Sequence, residues 1–363
     1  MRIAILTQPL RTNYGGVLQN YALQQVLIKL GHKPITLEKH YLQKISIFRL
    51  IIELPKRLYT KYILKRRKYI LNERHHDYFD ELRKTLKPFV DTQINHSYFY
   101  DYNEIKLSEY SAFIVGSDQV WRPKYNGDCL EEMFLSFTFK SEKIKRVAYA
   151  ASFGVKEWEY DEEQTKRCSE LINRFNAVST REIDGVEMCS KYLGYKNAVS
   201  VLDPTLLLDK PHYLELCKNI KHKDEEILFA YILDKDETTI AKLKDIATQN
   251  NLKLKLTSAA DECCKLSMEE WLAMFRDAKM VITDSFHGSV FSIIFNKEFY
   301  TIINQSRGVC RITSLLSQLS LTDRMLDIDS EITINKIINW SNVNDKLSCL
   351  KDQSYNFLRT NLF

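Results

Sequence analysis

The chain has 363 residues with 52 Lys+Arg against 47 Asp+Glu, and the resulting charge of +5 is too small an excess to mark a nucleic-acid binder by itself. That length corresponds to about two domains, and a hydrophobic fraction of 45% excludes disordered, collagen-like and low-complexity classes. Only ten residues are Gly, roughly 3% where about 7% is usual, so there are few places where the backbone turns left-handed or closely approaches a ligand.

Taken in order, Met1 to Thr7 is a short apolar run with an early polar break, which predicts a buried strand at 3–6 rather than a secretory leader. The turn Asn13-Tyr14-Gly15-Gly16 leads into a predicted helix over 17–30, stopped by Gly31, and a second strand over 33–37. This is the opening of a doubly wound α/β unit. Residues 41–100 interrupt it. Between Lys44 and Arg74 lie ten Lys/Arg and two acids, interleaved with Ile, Leu, Phe and Tyr. The pattern predicts a basic, helical insertion, which is either a lid with a solvated charged face or a surface for anionic lipid or a polyanionic substrate.

The α/β pattern resumes with a strand at 112–115 that ends in Gly116-Ser117-Asp118-Gln119-Val120-Trp121. A strand at 146–151 ends in Ser152-Phe153-Gly154. A helix over 162–175, a strand at 177–182 carrying Arg181, a helix over 183–193 and a strand at 198–202 follow. Pro204 to Pro211 reads as a linker. Strand–helix alternation then restarts, with strands at 227–233, 253–257, 280–283 and 299–303 and helices over 238–249, 271–276 and from about Phe286 to Phe295. The expected fold is α/β, with two Rossmann-like lobes (1–208 and 209–345) facing a cleft. No stretch reaches the length of a membrane span. The eight Cys have no zinc spacing, so the expectation is reduced thiols and no metal.

In open α/β sheets, ligands sit at the carboxyl ends of strands, and the polar clusters fall there. Asp284 or Ser285 is placed to cap the helix after the strand at 280–283. His287 and Gly288 then occupy its first turn, where free N–H groups and the helix dipole favour an anion. Histidine also suits proton transfer near neutral pH, the alternative for His287 being a core or capping role. Arg181, Arg307 and Arg311 fall in expected loops of both lobes, where guanidinium groups either suit a small, doubly anionic ligand or serve in surface salt bridges. Asp118, after Gly116-Ser117, is a candidate base or a group that orients a hydroxyl, or else a turn cap. Asn13, Gly15 and Gly16 form a tight strand-to-helix turn of the kind that approaches phosphate or sugar. It is neither GxGxxG nor a Walker loop, so no dinucleotide or ATP is indicated. Ser117 and Ser152 complete the candidate set.

Six ordered motifs (Asn13 to Gln19, Gly116 to Trp121, Tyr149 to Gly154, Val178 to Glu182, Leu202 to Thr205 and Thr283 to Gly288) resemble those of the bacterial polysaccharide pyruvyl transferases, over about residues 1–320. The resemblance implies transfer of the enolpyruvyl unit of phosphoenolpyruvate to a sugar, with a cyclic ketal formed and phosphate released, and no cofactor. It implies a fold like the B-type glycosyltransferases, whose last helix crosses back to the first lobe; residues 346–363, with Tyr355 to Phe363, are placed to do so. Arg181 matches the family's arginine after the Val-Ser pair, and His287 matches its histidine. Some members carry Arg-Leu-His where this chain has Ser285-Phe286-His287, so Arg307 or Arg311 is expected to supply the missing charge. His287 is then expected to move one proton, and Asp118 to position or deprotonate the acceptor. The basic insertion fits an acceptor on a lipid diphosphate and a cytoplasmic protein at the inner membrane face. The alternative is a sugar-nucleotide-dependent glycosyltransferase on the same scaffold, because fold alone does not decide the donor.

Overall fold

The computed structural model of the protein describes residues 1–39, 52, 54–56, 58–59, 62–63, 84–222, 225–234, 236–258, 266–303, 309–327 and 337–363. Most of the expected insertion, including Arg66, Arg67 and Lys68, lies outside the described residues, as does Arg307.

The first lobe is a seven-stranded parallel sheet of β1 (Arg2–Leu6), β2 (Lys33–Lys39), β3 (His96–Phe99), β4 (Ala112–Val115), β5 (Lys145–Ala151), β6 (Ala177–Thr180) and β7 (Val199–Ser200), in the order β3-β2-β1-β4-β5-β6-β7. Its central strands are fully buried: Ile3, Ala4 and Ile5 of β1 and all of β4 are covered on both faces, which is why they read as continuous apolar runs. Ile3 pairs with Pro34 on one side and Ala112 on the other. The sheet is flanked by α1 (Tyr14–Lys29), α2 (Lys87–Gln93), α3 (Glu162–Ile172) and α4 (Ile183–Lys191). Helix α1 is buried on nearly every side from Tyr14 to Leu27, because it lies between the sheet and the second lobe. An Asp161–Gln164 capping box starts α3.

The expected insertion over 41–100 overruns by two elements. Residues 87–93 are helical, and 96–99 add β3 to the sheet's edge beside β2. Edge strands are short and half-polar, so the apolar run that marks a central strand is missing there.

The second lobe contains α5 (Lys210–Leu216), β8 (Ile227–Tyr231), α6 (Glu237–Gln249), β9 (Lys253–Thr257), α7 (Met268–Asp277), β10 (Ala278–Thr283), α8 (Phe286–Ile294), β11 (Glu298–Ile302), α9 (Val309–Gln318) and β12 (Met325–Leu326). Its five parallel strands run β12-β11-β10-β8-β9. Strand order reverses between β1 and β4 in one lobe and between β8 and β10 in the other. These are the two topological switch points, where open α/β sheets present crevices to ligands.

One apolar core runs through both lobes. Tyr14 of α1 stacks on Trp271 of α7 with centroids 5.1 Å apart and an interplanar angle of 7°, and its hydroxyl donates to the Leu266 carbonyl at 2.8 Å. Of the stretch expected to be a linker, Pro204 to Pro211, residues Pro204–Leu207 form a 3-10 turn that is buried throughout, and Lys210 and Pro211 begin α5. The last helix, α10 (Trp340–Leu362), begins beside β11, where Glu298 accepts from the Ile338 N–H at 3.0 Å. It then crosses to the first lobe: Ser354 Oγ accepts from Leu202 N at 3.0 Å, and Lys145 Nζ reaches the Phe363 carbonyl at 2.7 Å. No helix among the described residues is long and apolar enough to cross a membrane.

Candidate active site

The two switch points face each other across a cavity of about 470 Å³. The first lobe lines it with Gln8, Pro9, Arg11, Thr12 and Asn13 after β1, and with Asp118, Gln119 and Tyr125 after β4. The second lobe contributes Leu233 after β8, Asp284 to His287 after β10, and Val309, Arg311 and Ile312 of α9.

The β10–α8 turn departs from expectation in one respect. Neither candidate side chain caps α8: Ser285 occupies the N-cap position but makes no side-chain cap bond. Asp284 turns away, its two oxygens accepting from Leu233 N at 2.6 Å and Asp234 N at 2.9 Å, which pins the loop after β8. The first turn of α8, with Ser285 and His287 on the cavity wall, therefore keeps its N–H groups and positive dipole end for an anion. Gly288 lies in that turn.

The β4 turn is over-determined from behind. Gly116 has φ +119, and a Cβ there would lie 2.1 Å from the Tyr149 carbonyl oxygen, so glycine is required. Gln19 accepts from Ser117 N at 3.1 Å and donates to Thr7 Oγ1 at 2.9 Å, while Thr7 Oγ1 donates to the Ser117 carbonyl at 2.9 Å. These bonds hold Asp118, at φ 72, with its carboxylate on the cavity wall. Ser117 and Ser152, expected as ligand contacts, sit behind that wall and are fully buried. Ser117 Oγ lies 3.1 Å from both the Ala150 carbonyl and Asp203 Oδ2; Ser152 Oγ donates to Glu182 at 2.9 Å. A hydroxyl at a strand end is satisfied internally when the neighbouring strand offers acceptors, which sequence does not display.

Asp203 is the hub of the site and had no expected role. Its side chain is fully buried. Oδ1 accepts from Thr205 N at 3.0 Å and Thr205 Oγ1 at 2.6 Å; Oδ2 accepts from Arg181 Nη1 at 3.0 Å. His287 Nε2, from the other lobe, lies 3.6 Å from the same oxygen, at ion-pair rather than hydrogen-bond distance. Burial alone would push the Asp203 carboxyl up. The imidazole of His287, the Arg181 guanidinium and the Thr205 hydrogen bond overcome that and hold it well below the usual carboxylate range.

Arg181 does not line the cavity. It lies beneath it, bridging Asp203 and Asp118, the latter at 3.4 Å, with its guanidinium carbon 4.6 Å from the centre of the Phe286 ring. Burial lowers Arg181, but Asp118, Asp203 and Glu182 raise it further, above its ordinary value. Arg311 does line the cavity, half-buried, and is pushed down first by burial and then by the neighbouring Arg181 cation. An incoming anion offsets both penalties.

The Asn13 turn is a helix cap: Asn13 Oδ1 accepts from Gly16 N at 3.1 Å, and Asn13 also lines the cavity. Gly15 has a reason of its own. A Cβ there would fall 2.0 Å from His287 Nδ1, so only glycine lets the imidazole of the second lobe lie against α1 of the first. Among the described residues no group of three or more metal-ligating side chains comes together.

No curated protein matches the chain. Its solved structural neighbours are distant. A UDP-N-acetylglucosamine 2-epimerase from Rickettsia bellii is 9% identical with a TM-score of 0.44, covering 99% of this chain and 98% of that chain. The UDP-GlcNAc 2-epimerase from Neisseria meningitidis, bound to UDP-GlcNAc, is 8% identical with a TM-score of 0.49, covering 99% and 93%. A family model described as polysaccharide pyruvyl transferase matches residues 13–306. That span begins at the Asn13 cap and takes in Asp118 and His287 on the cavity wall and the buried Arg181 and Asp203 that pair with them. The chain belongs to the polysaccharide pyruvyl transferase family.

Proposed function

We propose that the protein transfers the enolpyruvyl unit of phosphoenolpyruvate to a sugar of a surface polysaccharide or its precursor, closing a ketal across two hydroxyls. The observation that carries this reading is the uncapped N-terminus of α8 beside Arg311, set against Asp118 across one cavity. The second-lobe side suits a strongly anionic donor; the first-lobe side suits hydroxyls. The helix N–H groups and Arg311 receive the phosphate and carboxylate, and Arg181 fixes Asp118 from below.

The chemistry balances without metal or redox partner. One sugar oxygen adds to C2 of the enolpyruvate as a proton reaches the methylene carbon, turning CH2 into CH3. The second hydroxyl oxygen then displaces phosphate from C2, and its proton leaves with the phosphate. His287 carries one of these protons, supported by Asp203, and Asp118 orients or deprotonates the attacking hydroxyl. Among the described residues of the basic stretch between Lys44 and Arg74, the apolar side chains of Ile52, Leu54, Leu58, Tyr59, Tyr62 and Ile63 are exposed. This fits an acceptor held on a lipid diphosphate at the inner membrane face.

The test is phosphate release from phosphoenolpyruvate with a panel of glycosides, free and lipid-linked. His287→Ala and Arg181→Ala are each expected to lower turnover by about 10²-fold or more. Near-normal rates for both would overturn the assignment. Thermal stabilisation by a nucleotide sugar but not by phosphoenolpyruvate would favour glycosyl transfer instead.

A further inference from the structure

We propose that Tyr125 is the stacking platform for the acceptor sugar, with the first lobe holding the acceptor and the second the donor. The proposal rests on the pyruvyl-transfer reading above. Tyr125 lines the cavity yet is 52% exposed, and among the described residues its hydroxyl makes no hydrogen bond. A large aromatic ring left open beside a reaction site is informative only if it is held in place, and this one is.

The ring belongs to a single helical turn, Pro123–Asn126, entered through Pro123. Arg122 lies behind the ring, its guanidinium carbon 5.4 Å from the ring centre. Arg122 is itself buried and gripped by Glu159 through two bonds of 3.0 and 2.8 Å, with Gln119 Oε1 a third partner at 3.2 Å. Asn126 staples the turn's far end. Its amide donates to the carbonyls of Val120 at 2.6 Å and Arg122 at 3.1 Å, and its Oδ1 accepts from Gln8 Nε2 at 3.1 Å. Gln8 also donates to the Gln119 carbonyl at 2.9 Å. The buried arginine packs within cation–π distance of the ring, and the half of the ring that stays exposed borders the cavity.

The first-lobe wall that Tyr125 shares is mostly polar: Gln8, Arg11, Thr12, Asn13, Asp118 and Gln119, with Pro9 among them. A flat apolar face with a rim of amide, hydroxyl and carboxylate groups matches a pyranose ring, which presents C–H bonds on its face and hydroxyls at its edge. The rigidity of the turn means that little conformational entropy is lost when the ring is covered. Asp118 shares this wall, so a sugar seated on Tyr125 brings its hydroxyl edge to the residue that orients the attacking oxygen.

The test uses the full-length protein and the methyl β-glycosides of galactose, glucose and mannose as probes, with saturation-transfer NMR for binding and phosphate release for turnover. Phosphoenolpyruvate binding is followed separately by thermal shift. Tyr125→Ala is expected to abolish transfer to the C–H protons of the bound glycoside and to raise the acceptor KM roughly tenfold, with the phosphoenolpyruvate shift unchanged. Tyr125→Phe keeps the face and is expected to behave as wild type. Wild-type glycoside binding in Tyr125→Ala, or loss of binding in Tyr125→Phe, overturns the platform. So does binding of uridine diphosphate in place of all three glycosides. An unchanged phosphoenolpyruvate response in those cases leaves pyruvyl transfer standing; its absence in the wild type removes that reading as well.

Discussion

Asp203 connects the ion pair with Arg181 to the histidine of the opposite lobe, so its charge has consequences for stability and for pH. Asp203→Asn leaves Arg181 buried beside an amide and is expected to cost about 3–5 kcal/mol at neutral pH by denaturant titration. The folded protein holds this carboxyl below its unfolded value of about 4. The stability it supplies is therefore present above pH 4 and is lost as pH falls through the folded value. Titrations at successive pH values below 4 should show a steeper loss for wild type than for Asp203→Asn; parallel curves would refute the role. Asp203 is visible in the sequence within Asp-Pro-Thr, a local turn signal, immediately before the expected linker. Asp118, Arg181 and His287 were found because each follows an apolar strand. Asp203 sits beyond a two-residue strand, and its partners come from β6 and α8, so nothing local announced its burial. For Ser117 and Ser152 strand-end position was a poor guide, since the adjacent strands consume both hydroxyls.

Helix α8 combines a missing cap with a place on the cavity wall, and the two properties oppose each other. Ser285→Asp supplies a carboxylate for the open N–H groups. It is expected to stabilise the protein by about 0.5–2 kcal/mol as an N-cap while removing the thermal shift given by inorganic phosphate. A retained phosphate shift would show that the anion binds elsewhere. Elements of this kind are largely legible in the sequence: β4 falls at its expected residues and α8 begins at Phe286, because buried parallel strands and their following helices repeat a strong pattern, while the half-exposed edge strand β9 is legible from its Lys-Leu alternation. The less legible ones have weaker patterns. Edge strand β3 has no continuous apolar run. Helix α9 contains Arg311, expected in a loop, although Ile312, Leu315, Leu316 and Leu319 carry a helical spacing and are buried.

At the scale of the whole molecule, α10 fastens one lobe to the other. Leu358 and Leu362 are fully buried in the core that both lobes share, and Tyr355 Oη donates to the Leu207 carbonyl at 3.3 Å, beside the Asp203 turn. Leu358→Ala is expected to cost about 2–5 kcal/mol, measured by denaturant unfolding, and to lower turnover further by loosening the cleft. A stability loss below 1 kcal/mol would mean that the helix docks without carrying the inter-lobe core. The two-lobed architecture follows from strand–helix alternation that begins twice, but the length of this helix does not. Trp340 to Leu362 contains many polar residues, and its apolar stripe makes sense only once two surfaces are available to receive it.

The contact between Gly15 and His287 gives this arrangement a mechanical meaning. The imidazole rests directly on the backbone of one lobe while being carried by the other, and its carboxylate neighbour Asp203 also belongs to the far side. The site thus works as an interlock. On the proposed mechanism, a gap of about 1 Å at this seam would carry the histidine away from its partner and slow the proton transfer assigned to it.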